Sequence, residues 1–257
     1  LIRKITSAGV VSTYAGSGSS GSTNGTGTSA SFNTPAGLVF DGDDNLYISD
    51  YTNFLIRKIM PQTQLGNDID GETAGDEFGG SVSLSKDGKY MAVGAMYNDG
   101  NGSSSGHVRV YEYSSGSWSQ LGSDIDGETA GDRSGSSTAI SDNGTIVAIG
   151  ARLNDGGGSN SGHVRVYEYS SGSWSQLGSD IDGEAAYDKS GTAVSLSNNG
   201  TVVAIGAYYN DGNGSNSGHV RVYEYSSGSW SQLGSDINGE AANDQSGKSV
   251  SLSSDGT

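Results

Sequence analysis

One passage is written three times in this chain. NDGNGSNSGHVRVYEYSSGSWSQLGSDI, from Asn210 to Ile237, recurs almost letter for letter from Asn98 and from Asn154. Leu65-Gly66, Leu121-Gly122, Leu177-Gly178 and Leu233-Gly234 stand 56 residues apart. His107, His163 and His219 keep that spacing, as do Trp118, Trp174 and Trp230. Units 65–120, 121–176 and 177–232 are complete, and a fourth, 233–257, is partial. A period in this range means a propeller or a solenoid, in which each unit buries its apolar face only by docking on a like neighbour. Copies that dock through the same surfaces have reason to stay alike.

Within a unit the hydrophobic period is 2. Val194 and Leu196 alternate with serine, and TVVAIGA (201–207) follows the Asn199-Gly200 turn, a hairpin signal. In HVRVYEY (219–225), Val220, Val222 and Glu224 alternate with His219, Arg221, Tyr223 and Tyr225. The turn SSGS leads into WSQLGSDI. The pattern predicts four short antiparallel strands per unit and no helix. The fold class is therefore all-β, a β-propeller of four-stranded antiparallel blades forming an incomplete ring. Gly, Ser and Pro make up roughly a third of the residues, a composition that alone suggests low complexity. Here they cluster between the alternating runs, where turns need them. The chain begins inside a periodic segment and stops at a turn, so it reads as a piece of a longer polypeptide.

The first sixty residues follow another text. LIRKI stands at 1–5 and again at 55–59, with GVVSTYAGSG, PAGLVFD and NLYISD between. The expected organisation is one NHL-like segment at 1–60, a junction at 61–64 and the repeats from 65. The run IRKIT…GVVSTYAGSG…PAGLVFDGDDNLYISDYTN…IRKI, with Asn45 through Asp50 and Asn53, resembles the NHL repeat. Residues 65–257 resemble the FG-GAP repeat of integrin α-subunits through Phe78-Gly79 and Gly94-Ala95, and Gly-Ala again at 150–151 and 206–207. Serine replaces the phenylalanine at 134, 190 and 246, and the proline of the motif is missing. Calcium-binding members carry a DxDxDG loop between strands one and two. Here that hairpin is only Lys86-Asp87-Gly88-Lys89 or Asp142-Asn143-Gly144-Thr145, so no calcium site transfers to it.

Thirteen basic against 29 acidic residues give a net charge of −16, which excludes a phosphate backbone as partner and favours cations or basic surfaces. No cysteine is present, so disulfides and thiolate metal sites are excluded. No apolar run is long enough to span a membrane.

Two sets of candidate residues emerge. The acidic crossover loops place Asp68, Asp70, Glu72 and Asp76 around a glycine. The next two copies hold Asp124, Asp126, Glu128 and Asp132, then Asp180, Asp182, Glu184 and Asp188. Such oxygen clusters suit a hard cation, and calcium is the candidate cofactor. Asp-Gly is equally an ordinary turn former. The second set is Met96 and Tyr97, Arg152 and Leu153, then Tyr208 and Tyr209, which vary beside the near-invariant Gly-Ala and enter the long loop between strands two and three. Aromatic and arginine side chains are the usual interface anchors, and packing at the loop base is the plain alternative. The repeated histidines and tryptophans read as packing between blades, and Arg109, Arg165 and Arg221 as partners of nearby acids. No catalytic residue is singled out.

In a four-stranded blade, the loop between strands two and three and the crossover lie on one side of the disc. Here those are the long, acidic connections. The expected function is a non-enzymatic extracellular or cell-surface interaction or adhesion module that binds a protein, a glycan or a cation-bridged partner through this face. The alternatives are a calcium-assisted propeller hydrolase or lyase, and a purely structural spacer. Open blade edges predict self-association.

Overall fold

The computed structural model describes residues 1–5, 9–40, 46–59 and 67–256. The expected junction at 61–64, the Leu65-Gly66 pair and Asn45 lie outside these. The chain divides into two compact units, Leu1–Leu65 and Gly66–Thr257.

In the first unit, β1 (Ile2–Ile5) pairs with β2 (Val11–Ala15), and β3 (Pro35–Phe40), β4 (Leu46–Asp50) and β5 (Leu55–Ile59) form an antiparallel sheet. Two three-residue 3₁₀ turns, Gly27–Ser29 and Tyr51–Asn53, are the helical elements here, although the sequence pattern predicts none. Along β4 the period of 2 buries Leu46, Ile48 and Asp50. Leu46 and Ile48 join Ile2, Ala15, Ala30 and Phe32 in the core. Asp50 is tied down on both oxygens. It accepts the Asn33 N–H at 2.7 Å, Asn53 Nδ2 at 2.8 Å and Arg57 Nη1 at 3.2 Å.

The second unit holds three antiparallel sheets, each a meander. The first contains β6 (Phe78–Leu84), β7 (Tyr90–Ala95), β8 (His107–Ser114), β9 (Ser117–Gln120) and β10 (Ile125–Asp126). The second contains β11 (Ser134–Ile140), β12 (Ile146–Ala151), β13 (His163–Ser170), β14 (Ser173–Gln176) and β15 (Ile181–Asp182). The third contains β16 (Ala193–Leu196), β17 (Val202–Ala207), β18 (His219–Ser226), β19 (Ser229–Gln232) and β20 (Ile237–Asn238). These are propeller blades, with one refinement. The expected fourth strand, WSQLGSDI, is broken into two pieces on the same edge. β14 pairs with the end of β13, and β15 with its beginning. Gly178, at φ +76°, turns the chain between them. A blade therefore runs from 78 to 126 or from 134 to 182, and the sequence unit boundary at Leu121 or Leu177 falls inside a sheet.

Neighbouring blades dock in three ways. Apolar residues from both interleave: Ala92, Val108 and Val110 of the first blade pack with Val147 and Ile149 of the second. Ala148, Val164 and Val166 pack with Val203 and Ile205 of the third. Full burial of each valine or isoleucine side chain among these contributes about 1.5–3 kcal/mol. The motif glycines form the second device. Gly135, at φ +82°, makes a bulge in the first strand and presents its carbonyl to Gly94 of the preceding blade, where a Cβ would overlap it. Gly150 meets Gly191 in the same way. The third device is the tryptophan: Trp174 Nε1 donates to the Leu121 carbonyl at 2.7 Å, and Trp230 Nε1 to Leu177 at 2.7 Å. Trp174 also lies against Tyr169, with ring centroids 5.1 Å apart.

At the first and last blades of the second unit the same positions are open. Ile140 is 8% exposed beneath the first blade, whereas its counterpart Leu84 is 54% exposed. Ile125 and Ile181 are each 5% exposed, and Ile237, at the last blade, is 58%.

Candidate functional site

Alternation along the third strand sets up the repeated polar site. Val164 and Val166 face the third blade's core. His163, Arg165 and Tyr167 take the opposite side. His163, the first residue of β13, stands between Ala151 and Asp182 in the sheet and is 3% exposed. Two crossovers meet around it. The one entering the blade brings Glu128, and the one leaving brings Asp180 and Asp182. Arg165 holds one oxygen of each of two acids: Nε donates to Asp180 Oδ1 at 3.1 Å, and Nη2 contacts Glu128 Oε1. Gln176 Nε2 also donates to Asp180 Oδ1, at 2.6 Å. The remaining oxygens point at the histidine. Asp180 Oδ2 lies 3.8 Å from His163 Nδ1, and Glu128 Oε2 and Asp182 Oδ1 each lie 3.9 Å away.

The arrangement recurs as Glu72, His107 and Asp124 around Arg109, and as Glu184, His219 and Asp236 around Arg221. In each group one oxygen or nitrogen from every member lies within 4.8 Å of the others. Burial pushes all three imidazoles below their ordinary range, against the pull of the nearby carboxylates. Burial also works to raise the Asp124 carboxyl, but the Arg109 and Gln120 hydrogen bonds outweigh it and hold it low. Asp126 is pushed up, first by burial and then by the Asp124 charge.

The twelve crossover acids thus serve different ends: Asp180 and Asp182 of one loop both face His163, but the glutamate and the last aspartate of that loop go elsewhere. Glu72, Glu128 and Glu184 join the first aspartate of the next copy. Asp76, Asp132 and Asp188 are buried cross-links between the crossover and the loop after strand two. Asp132 Oδ2 accepts the Thr129 N–H at 3.1 Å and Asn154 Nδ2 at 2.9 Å. Asp188 does the same with Ala185 and Asn210, and Asp76 with Asn98. Asp68 and Asp70 sit exposed on the crossover entering the first blade.

The variable pairs also fall on this face. Met96, Tyr97, Arg152, Leu153, Tyr208 and Tyr209 are half-buried in the turns that follow the second strands. The second member of each pair is anchored through its backbone. The N–H groups of Tyr97, Leu153 and Tyr209 donate to the carbonyls of Asp76, Asp132 and Asp188 at 3.2, 3.2 and 3.3 Å. The first members follow one another across blades: Arg152 Nη2 lies 4.0 Å from Met96 Sδ, and Arg152 also reaches Tyr208. The centres of the Tyr208 and Tyr209 rings lie 4.2 Å apart with the planes tilted by 36°, and Lys189 Nζ is 4.3 Å from the centre of Tyr209.

One residue on this face escaped the sequence reading. Tyr187 is 62% exposed and holds φ +73°, a conformation its counterparts Gly75 and Gly131 adopt without strain. The replacement of a turn glycine by tyrosine was the available signal. The histidine groups were hidden for another reason: their members come from two different copies of the repeat.

In the first unit, a groove of about 1040 Å³ is lined by Tyr14, Phe32, Arg57 and the other residues of β5. Arg57 is already bonded there to Asp50, the Thr23 carbonyl and Asn24.

Residues 69–111 and 181–223 match the family profile of the FG-GAP repeat. The segments lie two repeat periods apart, one centred on the first blade and one on the third. No curated protein matches the chain. Similar solved structures include a Bacteroides uniformis protein provisionally described as a 6-phosphogluconolactonase, with 14% identity and a TM-score of 0.48 over 94% of this chain and 65% of that one. Hydrazine synthase of Kuenenia stuttgartiensis has 14% identity and a TM-score of 0.40, over 85% and 53%. Saccharomyces cerevisiae Sqt1 has 14% identity and a TM-score of 0.37, over 63% and 35%. The chain spans less than two thirds of the length of each. Among the described residues no helix is long and apolar enough to cross a membrane.

Proposed function

We propose that this chain is part of a non-enzymatic, extracellular or cell-surface interaction module, and that it engages a protein or glycan through the loop and crossover face of its FG-GAP-type blades. One observation carries this reading. Units 121–176 and 177–232 differ at 13 of 56 positions, and three of the changes, at 187, 208 and 209, introduce tyrosine. All three lie on that one face. Strain at Tyr187 supports a functional reason for its retention, since a tyrosine held at positive φ costs stability. Tyrosine supplies large, rigid contact area at low entropic cost. Identical polar groups in every blade argue against a single catalytic centre, which needs unlike residues brought to one point. For residues 1–60, the Asp50, Asn53 and Arg57 network joins three positions of the NHL-like text and supports that resemblance.

The test is a screen of the immobilised chain against glycans and cell-surface ectodomains, repeated with Tyr187→Gly and Tyr209→Ala. A ligand whose binding ignores both changes, or turnover of a carbohydrate or lactone substrate, would count against this reading.

A further inference from the structure

The histidine groups lie outside the proposed tyrosine contact, and they carry an inference of their own. Each histidine is at least 97% buried, and its Nδ1 has no hydrogen-bond partner. Carboxylate oxygens lie 3.7–3.9 Å from it, beyond hydrogen-bond reach. Leaving a buried imidazole nitrogen unmatched is costly, yet the chain does it three times at one repeat position. In the second blade Asp180 Oδ2 and Glu128 Oε2 are the oxygens that Arg165 and Gln176 do not hold, Glu128 Oε2 also accepting from Asn154 Nδ2 at 3.5 Å, and Asp182 Oδ1 is the third to approach; in the first blade Asp124 Oδ2 both faces His107 and accepts from Arg109 Nη2 at 2.9 Å. The guanidinium fixes the far oxygen of Glu128 and of Asp180 and turns the near one inward. Groups that grip the outer side of a carboxylate in this way orient it as a metal ligand.

We infer that each histidine and its facing carboxylates form a binding site for a divalent transition-metal ion. The ligands are Glu72, His107 and Asp124, then Glu128, His163 and Asp180, then Glu184, His219 and Asp236. Ligands of tetrahedral zinc stand about 3.3 Å apart, so small side-chain rotations close the observed gaps. One imidazole with two or three carboxylates suits zinc or manganese, whereas calcium prefers an all-oxygen shell of six to eight. Charge also agrees. In the first two sites the third carboxylate, Asp126 or Asp182, leaves a net charge of −2 after the arginine is counted. The third site has Asn238 at that position and keeps −1. The carboxylates are 27–47% exposed, which opens a path to the buried nitrogen.

The full chain, stripped with EDTA, is titrated with zinc chloride by calorimetry. Retained metal is counted by plasma mass spectrometry, and the imidazole ¹⁵N resonances are followed by NMR. The expected result is three zinc ions per chain, two bound more tightly than the third, with the Nδ1 resonances shifted. D182N makes the second site resemble the third and lowers its affinity to match. Replacing all three histidines by glutamine should abolish binding. In case the buried substitutions block folding, E72Q/E128Q/E184Q provides a second route: these half-exposed side chains keep an oxygen for arginine, and affinity falls at least about tenfold. No zinc bound by the folded chain at 100 µM (on the order of tenfold above a modest site's Kd), calcium bound in preference to zinc, or undiminished binding in the folded glutamine variants would each overturn the assignment.

Discussion

Gly150→Ala tests how the blades are held together. Gly150 is the last residue but one of strand two of the second blade, and Gly191, just before strand one of the third, places its carbonyl oxygen against the Gly150 α-carbon. A methyl at 150 would overlap that oxygen and also Ser137 Oγ, which itself donates to Gly191 at 2.7 Å. Neither obstacle is the free end of a long side chain. A carbon and a carbonyl oxygen tolerate an approach of about 3.3 Å, so the strand must retreat. That movement would open the cluster of Ala148, Val164, Val166, Val203 and Ile205. Overpacking costs about 1–3 kcal/mol, and two fixed neighbours put this case near 3 kcal/mol. At about 2–4 °C per kcal/mol for a domain of this size, the midpoint should fall by about 6–12 °C. Gly172→Ala is the control. Gly172 sits in the hairpin turn at φ +88° with nothing within 4 Å of an added Cβ, so only backbone strain of about 1 kcal/mol applies. Thermal and urea unfolding of both variants in the full chain would measure the difference. Equal losses would refute the steric lock and reduce the motif glycines to conformational need alone.

Tyr209→Ala should weaken binding of a ligand found in the screen by about 1–2 kcal/mol and leave the melting midpoint almost unchanged; a large stability loss with unchanged affinity would assign the ring to packing. Trp174→Phe keeps the ring contact with Tyr169 but leaves the Leu121 carbonyl unmatched, and should cost about 1–2 kcal/mol in urea unfolding. Asp50→Asn leaves Arg57, only 10% exposed, without its anion, and should destabilise the first unit by about 3 kcal/mol, read by hydrogen exchange over residues 9–40. The pH dependence of that unit follows from the same carboxyl. Burial works to raise it, but bonds from Asn53, Asn33 and Arg57 hold it below the ordinary range. Its contribution is therefore complete above the unfolded carboxyl's range and is lost as pH falls through the lower folded value. Exchange protection unchanged on acidification would contradict this.

The 56-residue period, the strand alternation and the turn glycines were legible in the letters, because each is a local demand. A half-buried strand needs alternation, and a turn at positive φ needs glycine or asparagine. From these the all-β blade architecture follows, along with the face on which the long acidic connections emerge. The phase of the repeat was not legible. Periodicity is blind to where a unit starts, and only the pairing of Ile125–Asp126 with His107 and Val108 shows that a blade closes with residues from the next copy. The same borrowing explains the polar site. Glu128, His163 and Asp180 lie in two sequence units and are separated by tens of residues, so no spacing within one loop could announce them. The sequence suggested a cation held by the acids of one crossover. The fold divides those acids among a buried cross-link, an arginine pair and a histidine group, since a strand presents alternate side chains to opposite neighbours and only docking decides which charges meet.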